Sequence, residues 1–478
     1  MRLIDLAVPA ALAAMAPMAV ATTSSGLTPD KLALVYQRMV ELSTKSWENG
    51  TRAQATLEWK NASLSVFSPT TPLPLPDGLQ SSSIPEIIEL AESTLANRPN
   101  ASDYKVNATS TTTTAALEDT ATATDGSSDG EQTASATTTA NATATSTPWV
   151  NVPAMNNTQL PVGWPLLKDD AAGDPASLGV AVLLANATTG DATYNGETYG
   201  AAAEAQLNFL LYDVPRTAQG AISHRVNEAQ LWADNVYMVP PFLAYYGALT
   251  NNQTLLDLAY TQISLYRDAL RHSDTNLWQH TVYGGVVDSG MWATGNAWVV
   301  AGCARVIATI QRSSFASSMS SQVADLQSWA SEILGATEKY ISSNGLLHNY
   351  VDNSSSFEDS TSSALMAAGG LRLSTLNLTN DYVNMSLTLL SGVSKKVNDT
   401  GYVTQVTDPY TFSKQGTESP EAQSFVILAY SAYNEWVAQG SNGIEKGKNP
   451  IGSSAASPRA TAGMAGLLAL ATALWVLA

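Results

Sequence analysis

Cysteine is almost absent from this chain: Cys303 stands alone among 478 residues, so no disulfide can form within it. It lies in the apolar run "AWVVAGCARVIATI", where a small buried hydrophobe is expected rather than a nucleophile. Charge is scarce as well, at 13% of residues against the roughly 25% usual for soluble domains. Basic residues are the rarer sign, 23 against 41 acidic, and the net charge of −18 leaves no basic stripe to neutralise phosphates. Nucleic acid is thereby excluded as a partner. The four histidines, at 224, 272, 280 and 348, lack metal-ligand spacing. There is no HExxH pair, cysteine cluster, glycine-rich phosphate loop or GxSxG elbow, so neither a metal nor a cofactor is expected.

Ser, Thr, Asn and Ala take the place of the missing charge, as in many secreted glycoproteins, while a 45% hydrophobic content can fill a large core. Twelve Asn-x-Ser/Thr sequons, from Asn49 to Asn398, fit a heavily glycosylated surface. Residues 1–21 carry Arg2 and then an Ala/Leu/Met-rich stretch ending in small residues, which reads as a secretory signal despite Asp5. Residues 441–478 hold a linker, small residues at Ser453 to Ala455, a polar spacer and a hydrophobic tail. That order matches a GPI-attachment signal, with a single C-terminal membrane span as the alternative. The protein is therefore expected outside the cell, touching the membrane only through such an anchor.

Between these ends the chain divides into three parts. Residues 22–100 carry helical periodicity in "DKLALVYQRMVELSTKSWE", after Pro29, and in "IPEIIELAESTLANR". Residues 101–148 degenerate into Thr, Ser and Ala with no apolar period, an expected disordered and O-glycosylated insertion. From 149 to 440, helical segments alternate with short Asn/Gly/Ser turns, near 174–186, 197–212, 229–249, 253–272, 290–312, 319–343, 358–373, 380–397 and 418–439. Strand signals are sparse, "GYVTQVTD" (401–408) being the best. Eleven helices with hairpin connections predict an all-α fold of hairpins around an axis.

Three stretches could carry chemistry. In "HRVNEAQLWADNVYMVPPFLAYYG" (224–247), Trp232, Asp234 and Tyr237 precede Pro240–Pro241, expected to break or kink the helix where side chains can face a cavity. A helix cap is the plainer role for Asp234. In "MWATGNAW" (291–298), Trp292 and Trp298 flank Thr294, and paired tryptophans can form a sugar platform or simply pack a core. A scattered third set contains His280 in "LWQH", His348, Glu358 and "SPEAQSF", where Ser419 and Pro420 are good helix-start residues.

Taken in order, "GDPASLG", "SHR", "QLWADNVYMVPPFLAYYG", "MWATGNAW", "EDSTSSALMAAG" and "ESPEAQSFVILAY" resemble the unsaturated glucuronyl and rhamnogalacturonyl hydrolases of glycoside hydrolase families 88 and 105, across about residues 165–439. The resemblance implies an (α/α)6 barrel and an oligosaccharide substrate. In that chemistry an aspartate protonates the C4–C5 double bond of an unsaturated uronic acid, and water then adds at C5. By position, Asp234 matches the acid/base and His224 a sugar-orienting histidine, with Trp232 and Tyr237 in the same signature. Trp292 and Trp298 match the tryptophans of a Trp-x-Arg-Gly-Asn-x-Trp pattern. Asp174 matches a second aspartate, with Asp169 and Asp170 as competitors. Thr294 stands where the pattern has arginine and cannot replace its charge-assisted bond to a carboxylate. Arg225 or another basic group must then supply that contact, or the substrate is a different cell-wall glycan, or the site binds sugar without turnover. The whole reads as a secreted, fungal-type member of the group.

Overall fold

The computed structural model describes residues 26–104, 163–190, 192–445, 449 and 451. The secretory signal, nearly all of the Thr/Ser/Ala insertion and the anchor signal lie outside the described residues.

The chain starts its first helix, α1 (Pro29–Leu42), with Thr28 accepting from the Lys31 amide and Pro29 in the first turn. The single helical run expected through "DKLALVYQRMVELSTKSWE" is in fact two helices. At the break, the Ser43 hydroxyl donates back to Met39 O (2.7 Å), closing α1. The Glu48 carboxylate accepts from the amides of Thr44 (2.6 Å) and Lys45 (2.7 Å), opening α2 (Ser46–Lys60). Then follow α3 (Pro85–Ala96), α4 (Gly173–Ala176), α5 (Gly179–Thr189), α6 (Tyr199–Asn208), α7 (Asn235–Leu249), α8 (Gln253–Leu270), α9 (Ala293–Arg312), α10 (Ser320–Glu338), α11 (Ser360–Thr375), α12 (Val383–Ser394) and α13 (Pro420–Ala438).

These helices form two concentric rings. The inner ring runs α2, α4–α5, α7, α9, α11, α13, each packed on the next, and α13 closes back on α2. Outside it, α3, α6, α8, α10 and α12 each pack on the inner helix before them, and α1 packs on α13. Six helical hairpins around an axis are the expected (α/α)6 toroid. Position in the ring explains the sequences. Helices α9 and α11 are buried on nearly every face and are rich in Ala and Gly, whereas outer α8 buries one apolar face.

Of the break or kink expected at Pro240 and Pro241, the break does not occur: α7 runs through both. Each proline removes an N–H and strands the carbonyl four residues earlier. Helix α9 makes good the loss. Arg305 donates to Tyr237 O (3.1 Å), and Gly302 lets the α9 backbone close on Val236 O, where any Cβ would collide.

Four short antiparallel pairs sit in the connections: β1 (Thr193–Tyr194) with β2 (Glu197–Thr198), β3 (Leu231–Trp232) with β4 (Thr281–Val282), β5 (Leu347–His348) with β6 (Glu358–Asp359), and β7 (Val406–Thr407) with β8 (Gln415–Gly416). Of the expected "GYVTQVTD" strand only Val406 and Thr407 pair with β8. The last three pairs precede the N-terminal ends of α7, α9, α11 and α13. They gather the residues of four connections at one mouth of the toroid.

Candidate active site

A cavity of about 270 Å³ opens at that mouth. Its wall takes Trp47 from the first turn of α2, Asp174 from α4, Trp292 and Thr294 from the start of α9, Thr361 from α11, and Glu421 from α13. Inner-helix N-termini point their positive dipole ends here, which favours negative charge despite a net −18.

Asp234 stands at the N-terminal boundary of α7 in helical φ/ψ. Its side chain caps nothing, so the plainer reading does not hold. The β3–β4 register explains what it meets. Trp232 pairs with Thr281, and one residue further the Ala233 amide donates to His280 O (2.9 Å). Asp234 and His280, distant in sequence, thus come together: His280 Nε2 lies 3.6 Å from Asp234 Oδ2, and both atoms are buried with no hydrogen-bond partner among the described residues. Burial pushes the Asp234 carboxyl above the usual range, with His280 pulling the other way.

On its far side His280 Nδ1 meets Asp288 Oδ2 (3.1 Å), which also accepts from the Tyr350 hydroxyl (2.9 Å), while Asp288 Oδ1 accepts from the Gly290 amide (3.0 Å). Burial opposes ionisation of Asp288, yet the bonds from His280, Gly290 and Tyr350 prevail and hold it below the usual range. The contact with Asp288 fixes the His280 ring so that Nε2 faces Asp234.

Aromatic rings surround this pair. Trp232 stacks on His224 (4.9 Å between centroids), and His280 contacts Trp292 and Phe412, both at 4.4 Å. His224, driven down to about 3 by burial and then by Arg225, stays neutral. Its Nε2 is 3.9 Å from Asp174 Oδ1. Burial first, and then the charges of Asp169 and Asp234, push Asp174 well above the usual range. Gly173 permits this closeness, since a Cβ there would collide with Asn235 Oδ1 and press on His224.

Of the residues expected at the site, Asp174, His224, Trp232, Asp234, Trp292, Thr294 and Trp298 all line the cavity. Tyr237 does not: it is 1% exposed, behind the wall, with its ring 4.4 Å from Trp298 and the Arg305 guanidinium over it. As the third residue of α7 it faces α9 instead of the mouth. Nor do the two tryptophans form an open platform, because Trp298 is 2% exposed and wedged between Tyr237 and Phe425. Sequence reasoning did not single out Trp47 or Phe412, and it named His280 only in a scattered set without a partner. The only signal for His280 was a histidine preceding a strand-like "TV", which pairs with "LW".

Glu421 carries a pH consequence. Burial, and next Glu48, push its carboxyl up to about 7, although Trp47 Nε1 (2.5 Å) and Ser419 Oγ (2.9 Å) hydrogen-bond it. Its folded value lies above its unfolded one, so its contribution to stability is complete below the unfolded value and is lost as pH rises toward 7. Glu421→Gln should therefore raise stability at pH ~8 by about 2–3 kcal/mol and change it little at pH ~4. Urea unfolding at the two pH values checks this, and an equal effect at both would contradict it.

A family model described as Glycosyl Hydrolase Family 88 matches residues 179–421, just over half of the chain. The chain belongs to glycosyl hydrolase family 88. The family 88 chain is also 26% identical over 239 residues, 48% of its length, to the unsaturated rhamnogalacturonyl hydrolase YesR of Bacillus subtilis (strain 168). That match spans 65% of the relative's length. Among solved structures, a family 105 glycoside hydrolase from C. acetobutylicum ATCC 824 is similar at a TM-score of 0.54 and 12% identity, covering 84% of this chain and 98% of that one. A family 88 glycosyl hydrolase from Bacteroides vulgatus is similar at 0.53 and 11% identity, covering 85% and 99%. At such identities the likeness speaks for the fold: family 88 and 105 proteins share this toroid of six helical hairpins.

Proposed function

We propose that the protein hydrolyses unsaturated uronyl oligosaccharides of the kind polysaccharide lyases leave from pectin or rhamnogalacturonan. Asp234 serves as both acid and base. The carrying observation is the Asp234 carboxyl, held toward its protonated form by burial in the cavity wall, with His280 Nε2 3.6 Å from it. Protonated Asp234 gives its proton to C4 of the C4–C5 alkene, and the ring oxygen shares the positive charge left at C5. Water adds at C5 and returns a proton to the Asp234 carboxylate. The hemiketal opens to a C5 ketone, and the anomeric carbon, now a hemiacetal, releases the aglycone. The aromatic wall excludes other water and His280 orients the carboxyl. Incubation with lyase-generated unsaturated disaccharides tests this through loss of the alkene's ultraviolet absorbance, and persistence of that absorbance with every uronide would refute it.

A second reading, a hydrolase or a sugar-binding protein for a neutral wall glycan, is favoured by the uncharged Thr294 floor. A glycan-binding screen that finds neutral ligands surviving Asp234→Asn, with no alkene turnover, would select it. Export and anchoring belong to the same proposal, supported by the signal-like ends and the sequons. Phosphatidylinositol-specific phospholipase C is expected to release the mature protein from cell membranes, and retention after treatment would count against the anchor.

A further inference from the structure

We infer that Arg225 binds the carboxylate of the uronyl ring, while Thr294 and Thr407 receive its hydroxyl groups, so the acid group lies on the α4–α7 side of the cavity. This rests on the hydrolase reading above and specifies how that site recognises its substrate.

Arg225 is the only lysine or arginine lining the cavity among the described residues. Its backbone is fixed: the Arg225 amide donates to Ser223 Oγ (3.0 Å), and residue 225 bridges to Ala171. Its head is not. Arg225 Nη2 approaches Asp170 Oδ2 only to 3.9 Å, the guanidinium makes no hydrogen bond among the described residues, and the Asp170 side chain is 92% exposed. Such a contact is solvated and easily exchanged. A planar fork with free donors at the edge of a cavity suits bidentate capture of a carboxylate.

The opposite wall suits it poorly. Thr294 Oγ1 donates to Asp359 Oδ2 (3.3 Å), whose carboxylate also receives the amides of Thr361, Ser362 and Thr407. Thr407 Oγ1 donates to Asn349 Oδ1 (2.7 Å). The orientation of that amide is settled, since Asn349 Nδ2 donates to Phe412 O (2.9 Å) and Oδ1 also accepts from Trp292 Nε1 (3.1 Å). Both threonine protons are thus committed away from the cavity, and what they present to it are lone pairs. Neither threonine offers a carboxylate a donor, whereas a sugar hydroxyl finds an acceptor at each. The uncharged Thr294 and the open guanidinium of Arg225 together place the acid contact on the α4–α7 side.

The test compares an unsaturated uronyl disaccharide with its methyl ester, which keeps the shape and the alkene but loses the charge. The wild-type protein should favour the acid through KM, by about 10- to 100-fold, the range of a charge-assisted hydrogen bond. Arg225→Met should raise KM for the acid by that factor and bring the acid/ester ratio close to one, and Arg225→Lys should recover part of the preference. Thr294→Val, which removes an acceptor without changing shape, should raise KM for acid and ester alike. An undiminished acid preference in Arg225→Met would overturn the assignment alone. Failure of the wild-type protein to turn over either compound would overturn the hydrolase reading, and this inference with it.

Discussion

Asp234→Asn should lower kcat on an unsaturated uronyl disaccharide by at least about 10²- to 10⁴-fold, the usual contribution of a positioned general acid/base. The amide has the shape of the carboxyl but can neither give a proton to C4 nor take one from water. Nothing in the fold depends on the charge. The side chain makes no cap bond, and burial already disfavours ionisation, so removing the carboxyl relieves a cost. The variant should therefore unfold at the same or a higher temperature and still bind substrate, with the loss confined to kcat. The wild-type pH profile follows from the same cause. The reaction starts from the protonated form, so kcat/KM should be greatest on the acid side and fall as pH rises through the raised value of Asp234. Steady-state kinetics with a calorimetric scan of both proteins checks this, and a variant that keeps its kcat would remove Asp234 from the chemistry.

Arg372→Met should cost about 3–5 kcal/mol of stability, the usual price of stranding a buried charge. The Arg372 guanidinium, 5% exposed, donates to Glu58 Oε2 (2.6 Å) and to Glu435 Oε2 (2.5 Å), with the Phe67 ring 4.1 Å away. Glu58 is in the last turn of α2, Arg372 near the end of α11 and Glu435 near the end of α13. The cluster therefore ties three inner helices together at the end of the toroid away from the cavity, where helix C-termini favour a cation. Methionine leaves Glu58, only 3% exposed, without its cation. Adding Glu58→Gln should recover a large part of the loss, because the stranded charge is its main source. Chemical unfolding of the single and double variants measures the coupling, and strict additivity would contradict it. Turnover at a permissive temperature should be spared.

Much of this was legible in the chain because local rules and tertiary structure agree. The helical periods of the outer elements, the Ser419–Pro420 start of α13 and the acid inside "LWADNVYMVPPF" all lie where the sequence puts them. The failures share a cause, since each was decided by a partner distant in sequence. Pro240 and Pro241 read as a break or kink because the compensating groups, Gly302 and Arg305, belong to another hairpin. Tyr237 read as a cavity residue because only the packing of α7 on α9 turns it away. His280 was only one of a scattered set because two-residue strands leave no periodicity, yet that pairing sets it beside Asp234. The α1–α2 break was hidden because Glu48, an ordinary helix former, acts there as a cap.

The most direct measurement of the central claim is the fate of the double bond when wild-type protein acts on an unsaturated uronyl disaccharide in D₂O. Alkene protonation by Asp234 is expected to place deuterium at C4 and to consume the alkene in step with release of the aglycone, both followed by NMR. Release of the aglycone with the double bond intact and no deuterium at C4 would contradict it, and would mean that the anomeric bond is cleaved directly.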